Sequence, residues 1–239
     1  MKTVFIIIPT YNEKDNLTSL LNKLDQAKKF LPSNTALNVL FVDDNSPDGT
    51  AQAIEQEKNK RTFGIHILQR FKKQGLGTAY IAGFKYVLAL GADYVVQMDA
   101  DLSHDPSVIP EMLNKLKDFD FVIGSRYIPE ASIPNWSFFR KLISVGGNLY
   151  TRILLGFDIH DYTGGLNAYR GEVLKNIDLN SIESNGYSFQ IEIKYRVKQK
   201  GYKYTEIPIQ FYDRASGKSK FSRKIFIEAF LNTLRLRLS

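Results

Sequence analysis

Five short apolar runs, each closed by a polar or glycine-rich turn, constrain this chain more than any single residue. The runs are Val4 to Ile8, Val39 to Val42, Ile65 to Leu68, Tyr94 to Met98 and Phe121 to Ile123. Continuous apolar runs of this length read as strands buried on both faces, as in a parallel sheet. Amphipathic segments separate them. One starts near Asn16 and carries Leu17, Leu20, Leu21 and Leu24 at helical spacing. Another runs from Thr78 to Leu90, and a third follows Pro106 with Ile109, Met112, Leu113 and Leu116. This alternation predicts an α/β fold, a Rossmann-like, mostly parallel sheet flanked by helices.

From Pro129 the pattern changes. A helical stretch (Phe138 to Leu155) precedes the turn Asp161-Tyr-Thr-Gly-Gly165. A helix near Tyr187 to Gln199, a strand near Tyr204 to Ile209, a basic loop and a last helix from about Phe221 follow. The chain has 239 residues and no repeat, linker or low-complexity stretch. It reads as one domain over 1–239, with residues 1–128 as one half and 129–239 as a second half that completes a site.

The unusual residues gather where strands end. The turns are Pro9-Thr-Tyr-Asn-Glu13, Asp43 to Thr50, Gln69 to Gly77, Asp99 to Asp105 and Gly124 to Tyr127. Open α/β sheets bind ligands at the carboxyl ends of their strands, so the five turns are expected to line one cleft.

Within that cleft Asp99 and Asp101 stand two residues apart after a buried strand. Such a pair is costly unless a cation lies between its members. Two carboxylates with diphosphate oxygens and water suit Mg²⁺ or Mn²⁺. The structural alternative is a strand end, with Ser103 or Asp105 capping the next helix. Zinc fits poorly, because Cys is absent and His66, His104 and His160 are scattered. Asp43 and Asp44 follow the second strand, where an acidic residue commonly binds a ribose hydroxyl or a base edge. They also suit a turn capped by Ser46 or Asp48, and Glu13 carries the same two readings.

Two phosphate motifs fail. Gly217-Lys218-Ser219 has Tyr212 where a P-loop needs its leading Gly, and Gly75-Leu-Gly77 has Tyr80 where a dinucleotide fingerprint needs its third Gly. Gly75 and Gly77 still permit close backbone approach at a helix start. Arg214, Lys218 and Lys220 form a cationic loop that is either solvated or a clamp on phosphate oxygens.

The formal net charge is +7, with 32 Lys and Arg against 25 Asp and Glu. A basic balance suits nucleic acid, phosphorylated ligands or an anionic membrane. A nucleic-acid binder leaves the paired acidic turns unexplained, since they would repel phosphates. The absence of Cys fits a reducing compartment and excludes disulfide and thiolate sites. The N-terminal run is too short for a signal peptide, and no apolar stretch approaches the ~18 residues of a membrane span. The last helix places Ile227, Leu231, Leu234 and Leu238 on one stripe, widened by Phe226 and Phe230 and flanked by Arg223, Lys224, Arg235 and Arg237. It suits packing on the core or lying in a membrane interface.

PTYNE, VDDNSPDGT, GLGTAY, MDADLSHDP, GSRY, the turn at Asp161 and DRASGKSK, in that order from Pro9 to Lys220, resemble the dolichol- and polyprenol-phosphate mannosyltransferases. These are family 2 glycosyltransferases of A-type fold. The resemblance implies that residues 1–128 bind a nucleotide sugar and residues 129–239 an acceptor. Pro9, Tyr11, Glu13, Val42 and Asp44 would hold the donor nucleoside. Asp99 and Asp101 would hold the metal, with Ala100 beside the sugar nucleotide; some relatives have Gln where Ser103 stands. Arg126, Arg214 and Lys220 would bind donor diphosphate or acceptor phosphate, and Asp161 would position the acceptor or serve as a base. The expected reaction is inverting transfer of mannose from GDP-mannose to dolichyl or polyprenyl phosphate. A UDP-glucose-dependent glucosyltransferase would carry nearly the same motifs. The expected setting is the cytoplasmic face of a membrane, held peripherally or by small membrane subunits, with no nucleic acid partner.

Overall fold

The computed structural model describes residues 1–156, 158–213 and 223–238, the side chains of 223–229 excepted. A single sheet takes strands from both halves of the chain. The strands are β1 (Lys2–Thr10), β2 (Thr35–Asp43), β3 (Gly64–Gln69), β4 (Tyr94–Gln97), β5 (Phe121–Ser125), β6 (Asn167–Arg170) and β7 (Tyr204–Pro208). Their order is β3-β2-β1-β4-β6-β5-β7. All five expected runs are strands; β4 stops one residue short of its expected end, and the others extend beyond their expected bounds by one to four residues at one or both ends.

β1 alternates its side chains between two apolar layers. Phe5 and Ile7 face one layer, built with Tyr80, Phe84 and Val87 of α3 (Leu76–Ala89) and Phe189, Ile193 and Val197 of α7 (Gly186–Gln199). Val4, Ile6 and Ile8 face the other, built with Leu17, Leu20, Leu21 and Leu24 of α1 (Lys14–Lys28) and Ile109 and Met112 of α4 (Ile109–Lys115). Covering both faces is what a parallel sheet requires. The remaining helices are α2 (Thr50–Glu57), α5 (Phe138–Leu155), α6 (Gly171–Lys175) and α8 (Arg223–Leu238).

Two features of this topology place the site. The chain leaves β1 toward β2 and β3 on one side and toward β4 on the other. The carboxyl ends of β1 and β4 therefore flank a topological switch point, where the connecting turns diverge and leave a crevice. The second feature is β6, which runs antiparallel to both β4 and β5. Its first residue, Asn167, pairs with Gln97, the last residue of β4, and with Ile123 in the middle of β5. The turn before β6, Asp161 to Gly165, is thereby delivered to the same rim as Asp99 and Arg126. No apolar run announces β6, which is the antiparallel member of a sheet that is mostly parallel, as expected.

Candidate active site

Asp99 and Asp101 follow β4 directly, and their neighbours hold them firmly. The Tyr80 hydroxyl donates to Asp99 Oδ1 at 3.1 Å, and the Asp99 amide donates to His104 Nδ1 at 3.2 Å. Burial, then the charge of Asp99, pushes the Tyr80 phenol well above its ordinary pKa, so it stays a donor. Burial holds His104 below its ordinary value against the pull of Asp99 and Asp101, which fits a neutral ring accepting at Nδ1. Asp101 is buried and its Oδ1 accepts the Ser103 amide at 3.1 Å. The hydroxyl of Ser103 is buried with no protein partner. Two carboxylates and an orphaned hydroxyl form an all-oxygen donor set, which fits a hard divalent cation. Among the described residues no group of three or more His, Cys, Asp or Glu is placed to hold a metal.

The Asp161 turn closes against this pair. A Cβ at Gly165 would lie 3.4 Å from Asp99 Oδ2, an ordinary contact distance that places the turn directly beside the carboxylate. Asp161 itself faces Arg126. Arg126 donates from Nε and Nη2 to its two carboxylate oxygens, both at 2.7 Å, and from its amide at 3.0 Å. The Gly164 amide adds a fourth bond at 2.8 Å. Asp161 is fully buried and Arg126 is 7 % exposed. Burial alone would raise the Asp161 pKa. The Arg126 guanidinium, with help from Lys194, outweighs it and holds the carboxyl below its ordinary value.

The nucleoside-side candidates sit at the ends of β1 and β2. Asp44 is buried against Arg70, whose Nε lies 2.5 Å from its Oδ1 and whose Nη1 donates to Thr78. Asp43 instead accepts bonds from Thr10 and Ser46, the turn role. Glu13 accepts from Asn16, the first buried residue of α1, and Lys73 Nζ lies 3.8 Å from the Tyr11 ring centroid. Pro9, Val42 and Ala100 end or follow neighbouring strands β1, β2 and β4. The close approach allowed by Gly77 is to the protein itself: a Cβ there would lie 2.4 Å from the Ser184 carbonyl oxygen. Arg214 and Lys220 lie outside the described residues, as do Lys218, Phe221, where the last helix is expected to begin, and the side chains of Arg223, Lys224, Phe226 and Ile227.

Arg126 also borders an apolar cavity between α5, α7 and α8, lined in part by Trp136, Arg140, Tyr150, Tyr187 and Phe230. Arg140 stacks over Trp136 at 3.9 Å, and Tyr150 stacks on Phe230 with centroids 4.3 Å apart. Outside this cavity α5 exposes Phe138, Phe139, Leu142, Leu149 and Ile153. Among the described residues no helix is long and apolar enough to cross a membrane.

Tyr80, His104, Arg70, Arg140 and the bare face of α5 escaped the sequence reading. Tyr80 lies within GLGTAY and His104 within LSHDP, so the motifs held their signal without their roles.

A sheet of this order, with a carboxylate pair beside its switch point, has the architecture of A-type glycosyltransferases. A crystal structure of glucosyl-3-phosphoglycerate synthase from Mycobacterium tuberculosis with Mg²⁺ and UDP superposes with a TM-score of 0.68. The match covers 99% of this chain and 79% of that one, at 16% identity. The chain belongs to glycosyl transferase family 2, whose family model matches residues 5–178. It is 44% identical to an undecaprenyl-phosphate mannosyltransferase of Micrococcus luteus, covering 99% of this chain and 94% of that protein. It is 41% identical to a polyprenol monophosphomannose synthase of Mycolicibacterium smegmatis, covering 94% and 83%. A dolichol-phosphate mannosyltransferase of Pyrococcus furiosus is 38% identical, covering 98% of this chain and 63% of that protein.

Proposed function

We propose that this glycosyltransferase moves mannose from GDP-mannose to a polyprenyl phosphate, with inversion at the anomeric carbon and with a divalent cation. The observation that carries the reading is Arg126, a buried cation that opens on an apolar cavity leading to an exposed apolar helix. A phosphate attached to a long hydrocarbon matches that sequence of surfaces. The names of the relatives support the same acceptor and sugar.

Asp99 and Asp101 would hold the cation, which when bound neutralises charge on the leaving diphosphate. Tyr80 and His104 keep Asp99 in place for that task. Pro9, Tyr11, Glu13, Val42 and Asp44 would frame the nucleoside, with Arg70 fixing the Asp44 carboxylate. Arg126 spends Nε and Nη2 on Asp161, and Nη1 has no protein acceptor among the described residues. That edge would bind the acceptor phosphate, and Arg214 and Lys220 would add charge from the loop that follows β7. A phosphate monoester, with a second pKa of about 6, is already largely ionised at neutral pH, so it attacks without a protein base. Asp161, sealed behind Arg126, then acts as a positioning residue.

Donor identity is read by thermal stability. GDP with Mg²⁺ or Mn²⁺ at about 100 times its Kd is expected to raise Tm by roughly 5–10 °C, with neither alone doing so. A rise with UDP and metal but none with GDP would overturn the mannose donor.

The exposed face of α5, bordered by Arg140, Lys141 and Arg152, would rest on an anionic membrane surface, with α8 packed beside it. The chain is expected to co-sediment with anionic vesicles at low salt. Replacing Phe138 and Phe139 together by Asp should weaken that binding by roughly a hundredfold, since each Phe buries about 1.5–3 kcal/mol of apolar surface. Undiminished binding by the double variant would place the contact elsewhere.

A further inference from the structure

We propose that Lys194 is a positioning residue for sugar transfer: it clamps the Asp161 turn from behind and so sets where Arg126 presents its free edge. Lys194 lies on α7 and is completely buried. Its ammonium donates to three backbone carbonyls of one turn, those of Asp161 at 2.9 Å, Tyr162 at 3.0 Å and Gly164 at 2.7 Å. Three protons meet three acceptors, so the turn has one geometry when Lys194 is charged. The Asp161 carboxylate leaves the other side of the same turn to hold Arg126. Asn148 of α5 supports this arrangement, accepting the Tyr162 amide at 2.7 Å. A core lysine with no ion pair of its own is expensive to bury, and packing alone would be served better by an apolar residue.

The clamp depends on charge. Burial pushes the Lys194 pKa down to about 7, with Asp161 and Glu206 opposing and Arg126 adding to the fall. These three are the charged groups facing it, Asp161 from the turn, Arg126 from the end of β5 and Glu206 from β7. A neutral amine has two protons for three carbonyls, which leaves one buried acceptor unpaired and the turn free to shift.

The test is Lys194→Met, which keeps an unbranched apolar stem and removes every donor. The first readout needs no substrate: the side-chain Nε–H resonance of Arg126 in ¹⁵N-labelled protein. It is expected to move or lose exchange protection in Lys194→Met, and in the wild type to shift as the pH rises through about 7. An Arg126 signal unchanged in both experiments overturns the proposal. If Lys194→Met does not fold, the wild-type titration decides alone.

The second readout is transfer, where the effect rests on the reading of Arg126 as an acceptor-phosphate ligand. The kcat/KM for polyprenyl phosphate should fall roughly 10- to 100-fold while nucleotide affinity is unchanged, as for a small displacement of a positioning group. The wild type should also show an alkaline limb in kcat/KM that the Met variant lacks. Equal losses in acceptor and nucleotide parameters would mark a merely structural role and overturn the proposal. A moved Arg126 signal with unchanged acceptor kinetics would keep Lys194 as the clamp and refute the acceptor reading of Arg126 instead.

Discussion

Asp101→Asn is expected to fold as stably as the wild type and to transfer sugar roughly a thousandfold more slowly. The two halves of that expectation have separate causes. Asn keeps an oxygen for the Ser103 amide, which Asp101 now holds at 3.1 Å, and it keeps the size of the buried side chain. What it removes is one of two carboxylate charges that both act on buried Tyr80 and His104. Without a cation between them these charges repel, so the ligand-free variant should melt at the wild-type temperature or slightly above. Transfer is different, because the leaving diphosphate needs its charge neutralised as the sugar bond breaks. Several kcal/mol of that stabilisation is lost, and each 1.36 kcal/mol is a factor of ten in rate. Initial rates at saturating metal, with a melting curve on the same sample, decide the matter. A variant that transfers at the wild-type rate removes Asp101 from the chemistry.

Much of this arrangement is legible in the chain, and the part that is not has a physical reason. The apolar runs at Val4, Val39, Ile65, Tyr94 and Phe121 declare their strands because parallel strands are buried on both faces. Their turns declare the rim because such sheets bind ligands at one end. β6 is silent. Its four residues, Asn167 to Arg170, mix polar and apolar side chains, and only pairing with β4 and β5 makes them a strand. The helix from Phe138 to Leu155 falls on its expected bounds, but periodicity does not say what an apolar face meets. On α5 part of that face is left bare, with Phe138, Phe139, Leu142, Leu149 and Ile153 exposed.

The same limit governs the site. Asp99, Asp101 and Arg126 announce themselves by following strands. The groups that hold them do not, since Tyr80 lies 19 residues from Asp99, and Lys194 reaches back 33 residues to the Asp161 carbonyl. Lys194 reads as the polar side of a helix in FQIEIKY, yet it is sealed in the interior. Its depth follows from docking α7 against the turn, a tertiary event without a local trace.

Asp161→Asn tests the most deeply buried charge pair and should be the most destabilising single exchange at this site. Arg126 stays charged at any accessible pH even without that partner, because a guanidinium is too basic to lose its proton in a protein. Removing the carboxylate charge leaves a guanidinium in the interior facing an amide that cannot compensate it. Breaking one side of a buried pair costs about 3–5 kcal/mol, or roughly 10 °C in Tm for a chain of this length. The sign of the pH dependence follows from the depressed carboxyl. Its contribution is complete above the unfolded value of about 3.9 and is lost as the pH falls through the lower native value. The gap in Tm between wild type and Asp161→Asn should therefore be full at pH 6 and narrow steadily below about pH 4. Transfer to the acceptor should fall more than a hundredfold at every pH where the variant is folded, because Arg126 keeps one of the two bonds that aim it and meets an amide N–H, which cannot accept, in place of the other. A variant with normal stability and no transfer would instead mean that Asp161 takes part in the reaction directly. That outcome would require the turn to open and expose a carboxylate that is fully buried behind Arg126.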